Sequence, residues 1–478
     1  MSKLLWASIG FTIIAMACSA EVRHPNLADL YNGYAQHEDP WRNPIIVIPG
    51  LMGSRLVEPK SGKLVWGAFG VNQVDPNTAA GARLIALPIH HDATFESAQN
   101  IVEPDGALDR VLVSFLGFPM ELNAYYNILT ALGVGGYRDQ GLAEAGAIDY
   151  GDRHFTCFQF DYDWRLSIVE SAQALEKFVQ EKARYVRQET LRRYGIDRQT
   201  IRFDIVAHSM GGLVARYFLR YGSAELPLDG SAPAPTWAGA PYIENFIMIG
   251  TPNGGSQDSL VHLTEGYRPS FLYSRYSPTV IGTFPSLYQM LPRGRHHTLV
   301  GASGQPVTDL FDVELWQSNG WGLADPKEAD NLKMILPQVE EPGEQRRIAL
   351  RYQARVLQQA RQFTEAMDLP AKPPENVHLF LVAGDAVSTK KTAKINPKGS
   401  LEIIDFGPGD GVVLRSSAML DERRGNTTFD RLISPIHWYQ TLFLFSDHLG
   451  LTKDPAFTDN ILHFLLERPR PVDKLSLY

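Results

Sequence analysis

The residues most able to do chemistry lie in Ala207-His208-Ser209-Met210-Gly211-Gly212. A serine hydroxyl is a weak nucleophile until a general base takes its proton and donors stabilise the oxyanion it creates. The apolar run Phe203-Asp204-Ile205-Val206 precedes the segment, and helical spacing from Leu213 to Leu219 follows it. A strand, a tight turn and a helix, with small residues two positions to either side of Ser209, put Oγ at the exposed tip of the turn. A side chain bulkier than Ala at either flank would clash there. The Met210 N–H then opens the helix, where a developing oxyanion is stabilised. Small-x-Ser-x-Gly is common by itself, and the strand-and-helix context gives it meaning.

The base must come late, because chains with this elbow run serine, acid, histidine. His448 fits, in Phe445-Ser446-Asp447-His448-Leu449-Gly450, just beyond the last apolar run, Thr441-Leu442-Phe443-Leu444-Phe445. His437 precedes that run and His463 falls in the final helical stretch, so both read as structural. Two acids compete. Asp385 ends the run that starts at Val377, whereas Asp410 lies in Gly407-Pro408-Gly409-Asp410-Gly411-Val412-Val413, whose backbone N–H groups could face a carboxylate. Either acid would fix the imidazole tautomer and stabilise the imidazolium, and chain position does not choose between them. The second oxyanion donor is expected after an early strand. Pro49-Gly50-Leu51-Met52-Gly53-Ser54, following Ile45-Ile46-Val47-Ile48, offers the Leu51 N–H. Trp164, just past the run Phe158-Gln159-Phe160, is a candidate for lining an acyl pocket or for simple core packing.

The elements that must position these residues are legible as a rhythm. Apolar runs ending in Gly, Pro or Asp alternate with helical patterns. The longest pattern is Ser171 to Tyr194, with Leu175, Phe178, Val179, Ala183, Val186 and Leu191 on one face and Gly195 as its stop. This predicts an α/β fold, a mostly parallel doubly wound sheet with helices on both faces and its site at the carboxyl ends of the strands. Two stretches break the rhythm, about 58–123 and 252–374. Both start at strand ends, so the first is a lid candidate and the second a cap, with a helical part from Glu344 to Met367. The 478 residues suggest about three domains by length alone. The rhythm instead predicts one catalytic domain, 21–478, enlarged by those insertions.

Composition excludes several classes. The 45 Lys+Arg against 53 Asp+Glu leave a net charge of −8, without the basic surface that nucleic acid needs. Hydrophobic residues at 44% and charged ones at 21% describe a large folded core. The 2 cysteines, Cys18 and Cys157, exclude a disulfide scaffold and Cys-rich metal sites. His90-His91 and His296-His297 are adjacent pairs that read as loop residues, so neither a metal nor a cofactor is expected. Lys390, Lys391, Lys394 and Lys398 read as a solvated hairpin.

Several of these segments, taken in order, resemble the lecithin:cholesterol acyltransferase family of α/β hydrolases. They are Asn43-Pro44-Ile45-Ile46-Val47-Ile48-Pro49-Gly50-Leu51-Met52-Gly53-Ser54, then Tyr162-Asp163-Trp164-Arg165, His208-Ser209-Met210-Gly211, Gly409-Asp410-Gly411-Val412, and the His448 loop. The likeness runs from about Asn43 to Leu466. It departs at Ala207, where Gly is usual, and at Val412, where Thr is common; the 58–123 region also lacks the lid cysteines of the plasma enzyme. The resemblance implies the α/β-hydrolase fold and places the acid at Asp410. It further implies acyl transfer through an acyl-Ser209 intermediate, from a phospholipid or glycerolipid ester at a membrane or lipid–water interface. The acceptor is water in a lipase and a lipid alcohol in an O-acyltransferase. Two other functions fit less of the sequence. A carboxylesterase on small soluble esters would have a short cap, and a non-catalytic lipid-binding envelope protein would have a broken triad.

Near its start the chain carries Lys3, an apolar run from Leu4 to Ala17, and Cys18-Ser19-Ala20. This is the pattern of a signal peptide over residues 1–20, and it falls short of the about 20 apolar residues of a membrane span. Cleavage after Ala20 gives a secreted protein. Cleavage before Cys18 gives a lipid-anchored envelope protein, since Ala15-Met16-Ala17-Cys18 resembles a bacterial lipoprotein signal. The mature N-terminus, read by mass spectrometry from expressing cells, is therefore expected at Glu21 or at a lipidated Cys18. An intact Met1 would contradict export.

Overall fold

The computed structural model describes residues 37–467 apart from 68–73, 95–99, 108–110, 116–117, 123, 142–150, 152, 269–273 and 424–430. The expected signal segment, including Cys18, lies outside the described residues. Six parallel strands form the central sheet: β1 (Ile45–Ile48), β2 (Cys157–Gln159), β3 (Phe203–His208), β4 (Ile243–Ile249), β5 (His378–Gly384) and β6 (Gln440–Leu444). Their spatial order is β6-β5-β4-β3-β1-β2. The expected α/β fold, a parallel sheet flanked by helices, is the observed one.

Side-chain alternation divides the core in two. Ile46, Ile48, Ile205, Ala207, Phe246, Met248, Leu379 and Leu381 point to one face. There they pack with the helices α1 (Ile168–Tyr194) and α2 (Met210–Tyr221). Ile45, Val47, Val206, Ile247, Ile249, Phe380 and Val382 point to the other, against the helices Ala124–Val134 and Pro455–Leu462. Each such aliphatic side chain contributes about 1.5–3 kcal/mol by leaving water. That two-sided burial is why the strands read as unbroken apolar runs. α1 starts a little earlier than its apolar spacing predicts. Ser167 and Glu170 form a capping box at its start, and Gly195 closes it with a left-handed φ of 69°.

The strand order reverses at β1, which lies between β2 and β3. Ile48 of β1 is in register with Ala207 of β3. The two chains therefore leave the sheet side by side, at the switch point where such folds bind ligands.

Both long insertions have structure of their own. The first opens with a small antiparallel sheet of Ser54–Glu58, Lys63–Trp66 and Glu103–Ala107, beside the helix Ala79–Ile85. The second includes the helix α3 (Pro342–Asp368), bonded back to α2 through Arg216, Arg220 and Tyr221. Of the lysine stretch, read as a solvated hairpin, Lys390, Lys391 and Lys394 lie on the first strand of the antiparallel pair Val387–Ile395 and Leu401–Gly409 and Lys398 in its turn, with Leu299–Val300 alongside.

Arg165 locks the first insertion to the sheet. Its Nε and Nη2 donate to both oxygens of Asp163, at 2.9 and 2.7 Å. Nη1 donates to the Leu84 and Ile85 carbonyls at 2.9 Å each, satisfying the end of the helix Ala79–Ile85. Nη2 also donates to Asn100 Oδ1 at 3.0 Å. A guanidinium only 1% exposed thus has a partner for every N–H. Removing one member of such a buried pair leaves a bare charge, at a cost of about 3–5 kcal/mol. Arg165→Met is therefore expected to lower the denaturation midpoint sharply, and Asp163→Asn added to it to recover part of the loss. A midpoint unchanged in Arg165→Met would refute the anchor.

Candidate active site

Ser209 sits between β3 and α2 with φ 54° and ψ −127°, a backbone conformation that costs a non-glycine residue of order 1–3 kcal/mol. The turn is held by the Ser209 N–H, which donates to the Ile249 carbonyl at 2.7 Å, and by the helix that starts at Met210. The small flanking residues are required by contact. A Cβ on Gly211 would lie 2.4 Å from the Pro49 carbonyl oxygen, and Ala207 is fully buried between Ile48 and Met248. The β1 loop is equally close. A Cβ on Gly50 would lie 2.7 Å from Ser209 Cβ and 3.3 Å from its Oγ. The loop at Gly50 and Leu51 is therefore pressed against the hydroxyl.

Leu51 and Met210 flank Ser209 with backbone N–H groups that donate to no protein acceptor among the described residues. Beyond Leu51, Met52 adopts a positive φ of 61°, and its carbonyl accepts from Trp66 Nε1 at 2.8 Å. The loop that carries Leu51 is thus braced by the first insertion.

Asp410 and His448 are brought together. Asp410 Oδ2 accepts from His448 Nδ1 at 2.8 Å, and the Asp410 carbonyl accepts from the His448 N–H at 2.8 Å. Oδ1 accepts from the Val412 and Val413 N–H groups at 3.0 and 2.7 Å. Burial pushes this carboxyl up. The facing imidazole and these hydrogen bonds outweigh burial and hold it below the ordinary carboxylate value. An ionised Asp410 keeps the proton on Nδ1 and leaves the His448 Nε2 lone pair to receive another. No hydrogen bond joins Ser209 Oγ to His448 among the described residues; such contacts are often long before substrate binds. The two residues are linked through His208, whose ring centroid lies 4.7 Å from that of His448.

Asp385, the competing acid, is occupied elsewhere. Arg415 Nη1 lies 2.9 Å from its Oδ1. Trp164 is only 2% exposed, donates from Nε1 to the Ser54 carbonyl, and packs edge-on against Trp66 and Phe284. Among the described residues its hydrogen-bond and ring partners do not include Ser209, Asp410 or His448. Two residues beside the site went unread in the sequence, Tyr125 and the role of His208. The Tyr125 hydroxyl accepts from the Gly50 N–H and bonds to His208 Nδ1, and its sequence surroundings carry no motif. His208 is pushed down to about 3 by burial and by His448, so it stays neutral. Among the described residues, no group of three or more His, Cys, Asp or Glu is gathered as a metal site.

Comparison with known proteins returned one family profile and several solved structures. The family profile of lecithin:cholesterol acyltransferase matches residues 147–320, which include Ser209. No curated protein gives a significant match. Among solved structures, the chain is similar to the one described as the Tle4-Tli4 complex, at TM-score 0.55 and 14% identity over 89% of this chain and 98% of that one. The mature lipase BlEst2 of Bacillus licheniformis aligns at TM-score 0.34 and 12% identity, over 90% and 94%. Phospholipase PlaB of Legionella pneumophila aligns at TM-score 0.32 and 12% identity, over 67% and 54%. Fold and profile together define the class, an α/β-hydrolase-type enzyme.

The two acids can be separated by rate. Asp410→Asn is expected to lower kcat on an ester by about 10⁴, as loss of tautomer control does in a serine triad. Asp385→Asn should leave kcat within a few-fold. The reverse ranking would move the orienting acid to Asp385.

Proposed function

We propose that the protein is a serine-dependent lipid acyl hydrolase or O-acyltransferase that works through acyl-Ser209. The observation that carries this reading is an ionised, buried Asp410 bonded to His448, together with a strained, half-buried serine flanked by two idle N–H groups. In the first half-reaction, His448 Nε2 takes the Ser209 Oγ proton as Oγ bonds to the ester carbonyl carbon. The carbonyl oxygen becomes an oxyanion and accepts from the Leu51 and Met210 N–H groups, each worth about 10²–10³ in rate in comparable sites. The intermediate collapses, the C–O bond to the lipid alcohol breaks, and His448 returns the proton to that leaving oxygen. In the second half, an acceptor hydroxyl gives its proton to His448 and attacks the acyl-serine carbonyl. Collapse releases the new acid or ester and reprotonates Ser209. This chemistry calls for no cofactor.

A lipid substrate is supported by the long insertions and by exposed apolar side chains on the segments that lead to Asp410 and His448. Phe406 and Ile404, on the strand leading to Asp410, are 52% and 48% exposed. Phe445, on the segment leading to His448, is 86% exposed. Exposed apolar side chains so placed suit a substrate presented at a lipid–water interface. The N-terminal pattern supports an exported protein that meets such a surface in the cell envelope or outside the cell.

The test is incubation with a phospholipid labelled in its acyl chain, with and without a sterol or diacylglycerol, followed by product separation. Labelled free fatty acid identifies a hydrolase and a new labelled ester a transferase. Both should vanish in Ser209→Ala. Turnover of small soluble esters alone would make the protein a carboxylesterase. No turnover of any ester by the wild type would leave a lipid-binding protein.

A further inference from the structure

The residue before the serine carries an imidazole that takes no part in the proton transfers above. His208 is 2% exposed, and both of its ring nitrogens are engaged. Nε2 lies 3.1 Å from the His448 carbonyl oxygen, which can only accept, so Nε2 holds the ring proton. Nδ1 is then an acceptor, and the Tyr125 hydroxyl, 3.3 Å away, donates to it. That hydroxyl in turn accepts the Gly50 N–H at 2.7 Å. Tyr125 is itself buried, which pushes its hydroxyl pKa upward, so it remains a donor. Every bond therefore points one way: Gly50 N–H to Tyr125, Tyr125 O–H to His208, and His208 N–H to the His448 carbonyl.

The ends of this chain are the parts whose spacing matters. One end is the loop that presents the Leu51 N–H. The other is the backbone of the general base, which is also fastened to the Asp410 carbonyl. The middle is attached to Ser209 through the peptide bond. We propose that Tyr125 and His208 are positioning residues that hold the oxyanion loop and the His448 loop at one fixed spacing about Ser209. The inference rests on the acyl-serine reading above. Buried, fully paired networks of this kind rigidify a site, and misplacement of about 1 Å in such a site costs about 10² in rate.

The test uses the full chain with Tyr125→Phe, His208→Ala, His208→Gln and Ser209→Ala. A chromogenic ester serves as substrate, and a fluorophosphonate counts competent sites. Tyr125→Phe removes the hydroxyl that joins Gly50 to His208. The Gln side-chain amide can still donate where His208 Nε2 does; Ala cannot. The expected result is a fall in kcat of about 10–100-fold in Tyr125→Phe and His208→Ala, with KM within about threefold and an unchanged count of titratable sites. His208→Gln should recover about tenfold over His208→Ala. The far-downfield proton of the Asp410–His448 hydrogen bond should shift in His208→Ala and return in His208→Gln. Losses matched by loss of titratable sites would reduce both residues to a folding role and overturn the proposal. Wild-type kcat in Tyr125→Phe and His208→Ala, with Ser209→Ala inactive, would overturn the proposal alone. Turnover retained in Ser209→Ala would overturn the acyl-serine reading and the positioning roles with it.

Discussion

The site depends on how closely two chain segments can approach as they leave adjacent strands. β1 and β3 are paired in register up to Ile48 and Ala207, so the turn after each emerges at the same height. One turn must hold a serine at positive φ and the other must pass its backbone beside the hydroxyl. Only residues without side chains fit the closest points, as Gly50 and Gly211 show. The consequence is chemical: a nucleophile with no room for a neighbouring side chain is surrounded by backbone, and backbone N–H groups are what an oxyanion needs. The strain in the turn is offset by the strands and helices on either side, whose apolar faces are buried on both sides of the sheet.

A second constraint is electrostatic. Asp410 is 1% exposed, and an isolated carboxylate would not stay charged there. It stays charged because an imidazole and two backbone N–H groups face it. The Gly-rich segment 407–411 serves that purpose, turning the chain so that Val412 and Val413 point back at the side chain. Two imidazoles then stand side by side with different duties. His448 faces a charge and can accept a proton. His208, buried between Tyr125 and the His448 carbonyl with the His448 ring alongside, remains neutral and can act only through hydrogen bonds. Environment alone separates them.

The sheet was legible because its strands are buried on both faces and therefore read as short apolar runs with sharp ends. Ser209, Met210 and Leu51 were legible for a related reason, since their geometry is local to a strand and the turn after it. The acid was not decided by residue type or chain position, and the resemblance to a family favoured Asp410. In space the difference is plain: Asp385 meets Arg415, which follows it by thirty positions, whereas the Gly-rich loop folds Asp410 onto His448. Tyr125 was unreadable as a partner, because it acts across long separations on Gly50 and His208 and nothing nearby in the sequence marks it. Arg165 stood out only as part of Tyr162-Asp163-Trp164-Arg165; its bonds to Leu84, Ile85 and Asn100 span long separations and left its anchoring role unread. The lid candidate and the cap were visible only as breaks in the rhythm. Their internal sheets and helices satisfy partners supplied by other parts of the chain.

The central claim is that Ser209, among all the serines of the chain, is the activated nucleophile. A fluorophosphonate with an alkyl chain tests it directly, because phosphorus bonds to the attacking oxygen as fluoride leaves. Intact-mass measurement followed by peptide mapping should find one adduct per chain, on the peptide containing Ser209, formed quickly by the wild type and very slowly by a protein lacking the His448 imidazole. An adduct on any other residue, or none on a folded wild-type protein, would contradict the account.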